Sequence, residues 1–126
     1  MKTIGIIGGV TWASTVDYYK LINQKINKRL GGFNTAEVLI NSVNFNNVME
    51  YLTTNDWDSV EKLFTSKAEE LKKAGAEFIA ISSNTIAKVA RGVAKKSGLP
   101  LVNIIESTSN EIKKKGFKKV GFISIF

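Results

Sequence analysis

Five short apolar runs, separated by longer amphipathic stretches, follow one another along this chain of 126 residues. Strands of a parallel sheet are buried on both faces and therefore read as near-continuous apolar runs, whereas the helices that connect them show one apolar stripe. This alternation predicts an α/β fold, namely a Rossmann-like three-layer lobe with helices on both faces of a parallel sheet. We predict four strands in that sheet and an orphan fifth strand, at residues 3–7, 36–43, 77–81, 101–104 and 120–125.

The predicted helices lie between these strands, and glycines end them. Glycine is favoured just past a helix C-terminus because it adopts the left-handed conformation without strain. Segment 44–58 is polar and rich in asparagine, and we predict it to be irregular, with Asp56 or Asp58 capping the helix that follows. Helical spacing of apolar residues predicts helices at 14–30, from that cap to 74, at 84–96 and at 107–115.

Composition excludes several classes of chemistry. The chain has no cysteine and no histidine, which excludes disulfides, thiolate catalysis, Ser-His-Asp catalysis and Cys- or His-ligated metal within these residues. We therefore expect no metal. Its length suits one domain, and no apolar run approaches the roughly 18 residues that would predict a membrane span. We expect a cytoplasmic protein that does not associate with a membrane.

The formal net charge is +7, and the lysines that produce it are clustered. Lysines near a helix C-terminus interact favourably with the helix dipole and remain solvated. No ladder of aromatic residues, of the kind that stacks on bases, is interleaved with them. A solvated basic surface is the favoured interpretation, and nucleic-acid binding is a weak alternative. The clusters are Lys72-Lys73, Lys95-Lys96, Lys113 to Lys115 and Lys118-Lys119.

Polar side chains with hydroxyl or amide groups follow each of the first three predicted strands. In a parallel α/β sheet, ligands bind beyond the C-terminal ends of the strands, where loops lead into helix N-termini. The three loops should therefore converge on one crevice suited to an anion, with a carboxylate as the natural ligand. Each segment taken alone could equally be a helix cap. The residues are Thr11, Ser14, Thr15, Ser42, Asn44, Asn46, Ser82, Ser83, Asn84 and Thr85.

The first strand and its loop do not carry a nucleotide motif. The dinucleotide fingerprint needs Gly-x-Gly-x-x-Gly and an acidic residue after the second strand. Here the spacing is Gly5-x-x-Gly8-Gly9, and the second strand ends in Asn41-Ser-Val-Asn44. No Gly-Lys-Ser/Thr sequence follows either, so a phosphate loop is also absent.

Several motifs together resemble the aspartate/glutamate racemase family, which is cofactor-independent. The most specific is the strand end Phe78-Ile-Ala-Ile-Ser-Ser-Asn-Thr85, which is similar to the family's Cys-Thr-Asn-Thr or Cys-Asn-Thr signature. The resemblance runs from residue 1 to about residue 121. Other matching stretches are the N-terminal block through Thr15, Tyr18-Tyr-Lys-Leu-Ile-Asn23, Arg29-Leu-Gly-Gly32, Asn41-Ser-Val-Asn-Phe45, Asp56-Trp-Asp58, Ala74-Gly-Ala-Glu77, Lys88-Val-Ala90 and Leu99-Pro100.

The resemblance implies one lobe of a two-lobed enzyme in which each lobe supplies one cysteine for proton transfer at Cα. It implies that residues 1–117 are the N-terminal lobe and that residues 118–126 begin a second lobe, otherwise absent. Ser82 stands at the position of the family's first cysteine. Substrate-binding residues implied or suggested by position are Thr11, Ser14, Thr15, Asn44, Ser83, Asn84 and Thr85.

Two functions follow as expectations. The first is an amino-acid racemase homologue whose catalysis is impaired, because a serine hydroxyl is a far weaker acid than a thiol and needs a partner base. The second is a non-catalytic module that binds a small carboxylate, such as an amino acid or dicarboxylate, or a partner chain. A homodimer that brings two Ser82 loops face to face would imitate the two-lobed cleft.

Overall fold

Four of the apolar runs form one parallel sheet. The computed structural model describes residues 1–123, in which the strands are β1 (Ile4–Gly8), β2 (Val38–Ser42), β3 (Phe78–Ile81) and β4 (Leu101–Val102). They pair in the order β2-β1-β3-β4, and every pair is parallel. This confirms the predicted α/β class and the four-stranded parallel sheet.

Five helices connect and follow these strands. They are α1 (Trp12–Leu30), α2 (Phe45–Thr53), α3 (Trp57–Lys73), α4 (Ala87–Ser97) and α5 (Ile104–Lys114). The last turns of α3, α4 and α5 each carry two lysines, as the charge clusters predicted. Asp56 is the N-cap of α3 and accepts from the Ser59 N–H at 3.0 Å. The hydroxyl of Ser59 also donates to this carboxylate, which lowers the pKa of Asp56.

The main core lies between the sheet and helices α2, α3 and α4. Phe64 of α3 and Ile79 of β3 are fully buried there, together with Val93 of α4. Burying a large apolar side chain stabilises the fold by roughly 1.5–3 kcal/mol relative to leaving it exposed. This layer therefore holds the sheet in place beneath the loops at its C-terminal edge.

Helix α1 covers the opposite face of the sheet. Its Tyr18 and Ile22 pack against a smaller cluster built on Ile4, Ile6 and Ala80. On the same face, Ile40 of β2 and Val102 of β4 remain 45% and 48% exposed. The lobe thus has three layers, with the α1 side less completely covered than the α3 side.

The prediction for segment 44–58 was wrong, because α2 forms within it. Asn44 accepts a hydrogen bond from the Asn46 N–H at 3.0 Å and so caps the helix. Phe45, Val48 and Leu52 share one face and pack on the core. These apolar residues have helical spacing, but the asparagines between them obscure it.

Two helix starts also differ from the prediction. Helix α4 begins at Ala87 and not at residue 84, because residues 84–86 form a turn in which the Ala87 N–H donates to the Asn84 carbonyl. Helix α5 begins at Ile104, three residues earlier than predicted, because the Asn103 side chain accepts from the Ile105 N–H and caps it. That cap shortens β4 to two residues.

The predicted fifth strand does not form in the part of it that the structure describes. Residues 120–123 are irregular, with Val120 57% and Phe122 89% exposed. A strand needs a neighbour to pair its backbone groups, and none lies alongside these residues within the described chain. The remaining predicted positions, 124 and 125, lie outside the described residues. Within residues 1–123 no helix is both long and apolar enough to cross a membrane.

Candidate active site

The C-terminal ends of β1, β2 and β3 lie side by side. The parallel register pairs Gly8 with Ser42 and Ile7 with Ile81, so the loops that follow these residues leave the sheet at one edge. The Val43 N–H donates to the Gly8 carbonyl at 2.9 Å, and the Ser82 N–H donates to the Ile7 carbonyl at 3.1 Å. The backbone itself therefore holds the three loops together, as the topology predicted.

A buried pair of hydroxyl groups joins the start of α1 to the loop that follows β3. Thr15 Oγ1 and Ser82 Oγ are 2.9 Å apart, and Ser82 is only 2% exposed. The Gly9 N–H donates to Thr15 Oγ1 at 3.1 Å, and Ser82 Oγ donates to the Ile7 carbonyl at 3.4 Å. Either hydroxyl can be the donor in the bond that they share. The hydroxyl of Ser82 is thus fixed from both sides.

An open cleft of about 790 Å³ lies above this pair. Its polar lining comes from α1 and from the two loops that follow β1 and β3. Three of its seven apolar residues come from α2. The polar residues are Thr11, Ser14, Tyr18, Ser82, Ser83, Asn84 and Thr85. The apolar residues are Val10, Phe45, Met49, Leu52, Ile104, Phe122 and Ile123.

Most of the predicted site residues meet at this cleft, but Thr15, Ser42, Asn44 and Asn46 do not line it. Thr15 is 7% exposed and lies behind Ser82, where it supports the loop. Asn44 is occupied as the cap of α2. Thr11, Ser14 and the run from Ser82 to Thr85 line the cleft together.

The contribution of α2 to the cleft was not predicted from the sequence. Phe45, Met49 and Leu52 form one wall of the cleft, and Tyr18 of α1 joins them. Their spacing of four and three residues is the helical signal that could have identified them.

The loop that precedes α4 lines the cleft and carries backbone N–H groups without a partner among the described residues. No side chain caps this helix, and among the described residues no acceptor is found for the N–H groups of Ser83, Asn84 and Thr85. Burial raises the pKa of the Tyr18 phenol, so that this side chain is a neutral hydroxyl at physiological pH. Free backbone N–H groups in a loop that leads into a helix, with hydroxyls nearby, form a site that favours an anion.

Comparison with known proteins agrees with this architecture. A sequence model described as Asp/Glu/Hydantoin racemase matches residues 7–125. The chain belongs to the Asp/Glu/Hydantoin racemase family. A crystal structure of a candidate Asp/Glu racemase from Yersinia pestis is 40% identical and superposes with a TM-score of 0.89. An aspartate racemase homologue from Pyrococcus horikoshii OT3 is 36% identical, with a TM-score of 0.78. Each match covers 92% of this chain and 50% of the solved chain, so this racemase-family chain spans half the length of both.

Proposed function

We propose that this racemase-family chain binds the carboxylate of a small amino acid or dicarboxylate but is impaired in proton transfer at Cα. The observation that carries the proposal is the juxtaposition of backbone N–H groups from Ser83 to Thr85, unpaired among the described residues, with a buried serine at position 82. The first feature favours a bound anion. The second lacks the acidity that a proton-transfer residue needs.

The acidity of Ser82 decides the catalytic part of the proposal. A free cysteine thiol has a pKa of about 8.5, and a hydroxyl is a far weaker acid that must be activated by a base. The contacts of Ser82 Oγ are the Thr15 hydroxyl and the Ile7 carbonyl, and neither is basic. Ser82 therefore supports the binding loop from below through these hydrogen bonds.

Binding can be tested with a charge change on the loop. Asn84→Asp places a carboxylate at the cleft, and we expect it to weaken binding of L-aspartate and L-alanine at least about tenfold, because like charges at about 4 Å repel strongly near a protein surface. Isothermal calorimetry measures this change. Asn110→Asp on α5, outside the cleft, adds the same charge and should leave affinity nearly unchanged. A flat titration of the unaltered protein with both amino acids would contradict carboxylate binding.

Proton transfer can be tested by isotope exchange. In D₂O we expect the unaltered protein to incorporate no deuterium at Cα of aspartate, glutamate, alanine or leucine above the protein-free rate, as followed by NMR. Ser82→Cys restores a thiol, and we expect it to permit slow exchange on one face of the bound amino acid. Exchange by the unaltered protein that disappears in Ser82→Ala would overturn the assignment of Ser82 as a non-catalytic residue.

A further inference from the structure

The wall of the cleft that α2 supplies is apolar and carries no charge. Phe45, Met49 and Leu52 of α2 form it, and Val10 and Ile104 extend it. Among the described residues that line the cleft, none is lysine, arginine, aspartate or glutamate. We propose that the preferred ligand is an α-amino acid with an uncharged, apolar side chain, and not aspartate or glutamate. This inference rests on the proposed function and assigns its substrate class.

An acidic side chain would find no counter-charge on this wall. The loop from Ser83 to Thr85 has the donors for one carboxylate, and a second carboxylate would lose water against apolar groups. Removing an ion from water without a partner is strongly unfavourable. A site built for aspartate would need a cation or several further donors on α2.

Three of the cations on α3 and α4 are already engaged elsewhere. Lys88 lies over the Trp57 ring, with its Nζ 4.3 Å from the ring centroid. Arg91 forms an ion pair with Glu106. Lys72 donates to the Ser97 carbonyl at 3.0 Å. Turning one of them toward α2 would break a contact that the fold already makes.

A ligand with an apolar side chain would instead gain affinity by packing against the same wall. Burial stabilises binding roughly in proportion to the apolar area removed from water, and a leucine-sized side chain is enough for about a tenfold gain in affinity. Met49 favours such a ligand further, because the flexible thioether adapts to differently shaped apolar groups. The wall therefore discriminates between ligands by the apolar side-chain area that they bury and not by hydrogen bonding.

The net charge of +7 favours acidic ligands, in contrast to the apolar wall, because it attracts anions from a distance. That attraction is screened over about 8 Å at physiological ionic strength. Measurements near 0.15 M salt therefore report the cleft itself more than the surrounding lysines.

The experiment compares ligands that differ only in the side chain. Calorimetric titration of the protein with L-leucine, L-methionine, L-aspartate and L-glutamate should give leucine or methionine an affinity at least about tenfold above both acidic amino acids. Met49→Arg adds a cation to the wall and should reverse the order. Leu30→Arg adds the same charge at the far end of α1, where Leu30 is 52% exposed, and should leave the order unchanged. Circular dichroism confirms that both variants are folded.

Three results would overturn the inference. Aspartate or glutamate binding as tightly as leucine to the unaltered protein would refute the substrate class while leaving carboxylate binding intact. Failure of all four amino acids to bind would refute the proposed function and this inference with it. Sedimentation that shows a dimer, converted to monomer by Leu52→Asp, would show that the apolar wall is covered by a second copy of the chain.

Discussion

Replacement of Gly9 by alanine is expected to lower the free energy of unfolding by about 2–5 kcal/mol. A Cβ at this position would lie 2.2 Å from the Val43 carbonyl oxygen and 2.7 Å from the Val43 nitrogen, and the φ angle is +95°. The obstructing atoms are backbone, so the ends of β1 and β2 would have to separate. Forced overpacking costs about 1–3 kcal/mol, and the left-handed conformation adds about 1–2 kcal/mol for a residue with a Cβ. Urea denaturation measures the loss.

Gly75→Ala separates the steric part of this effect from the conformational part. Gly75 has a similar φ of +106°, but a Cβ there would meet nothing within 4 Å. We expect a loss of only about 1–2 kcal/mol, from backbone conformation alone. Equal losses at Gly9 and Gly75 would show that the close approach of β1 to the Val43 loop contributes nothing to stability.

The fold was predictable from the sequence because its central strands, β1 and β3, are buried on both faces. Runs such as the one ending at Ile81 are apolar without alternation, which is typical of parallel strands covered by helices. The site could be located for a related reason. Parallel strands place their C-terminal ends at one edge, so the polar residues after Ile7 and Ile81 had to meet there. Neither conclusion needed any knowledge of side-chain packing.

The predictions that were wrong concern features that depend on packing and on local helix capping. Polar composition suggested a loop at 44–58, yet Val48 is fully buried against the core and holds α2 in place. The sequence also placed Asn44 at the site, whereas its side chain satisfies the first N–H groups of α2. A sequence pattern shows which loop carries a residue such as Asn44. Whether its side chain caps a helix or contacts a ligand is decided by geometry.

Thr15→Val is the second change with a large expected effect. Valine has nearly the same shape but no hydroxyl, so the Gly9 N–H and the Ser82 hydroxyl would each lose a buried partner. A buried polar group left without a hydrogen bond costs about 1–3 kcal/mol. We expect a loss of about 2–3 kcal/mol in urea denaturation, and faster hydrogen exchange of the Gly9 amide. Thr15→Ser keeps the hydroxyl and should restore the protection of that amide.

A double-mutant cycle tests whether the bond between Thr15 and Ser82 is the cause. When both hydroxyls are removed, neither is left without its partner, as happens when only one is removed. The double variant Thr15→Val/Ser82→Ala should therefore lose less free energy of unfolding than the sum of the two single variants. We expect a coupling of about 1 kcal/mol. Thr11→Val, at an exposed position in the same loop, should change stability by less than about 0.5 kcal/mol. Strict additivity of Thr15→Val and Ser82→Ala would mean that the two hydroxyls act independently, and that Thr15 positions the Gly9 loop without fixing Ser82.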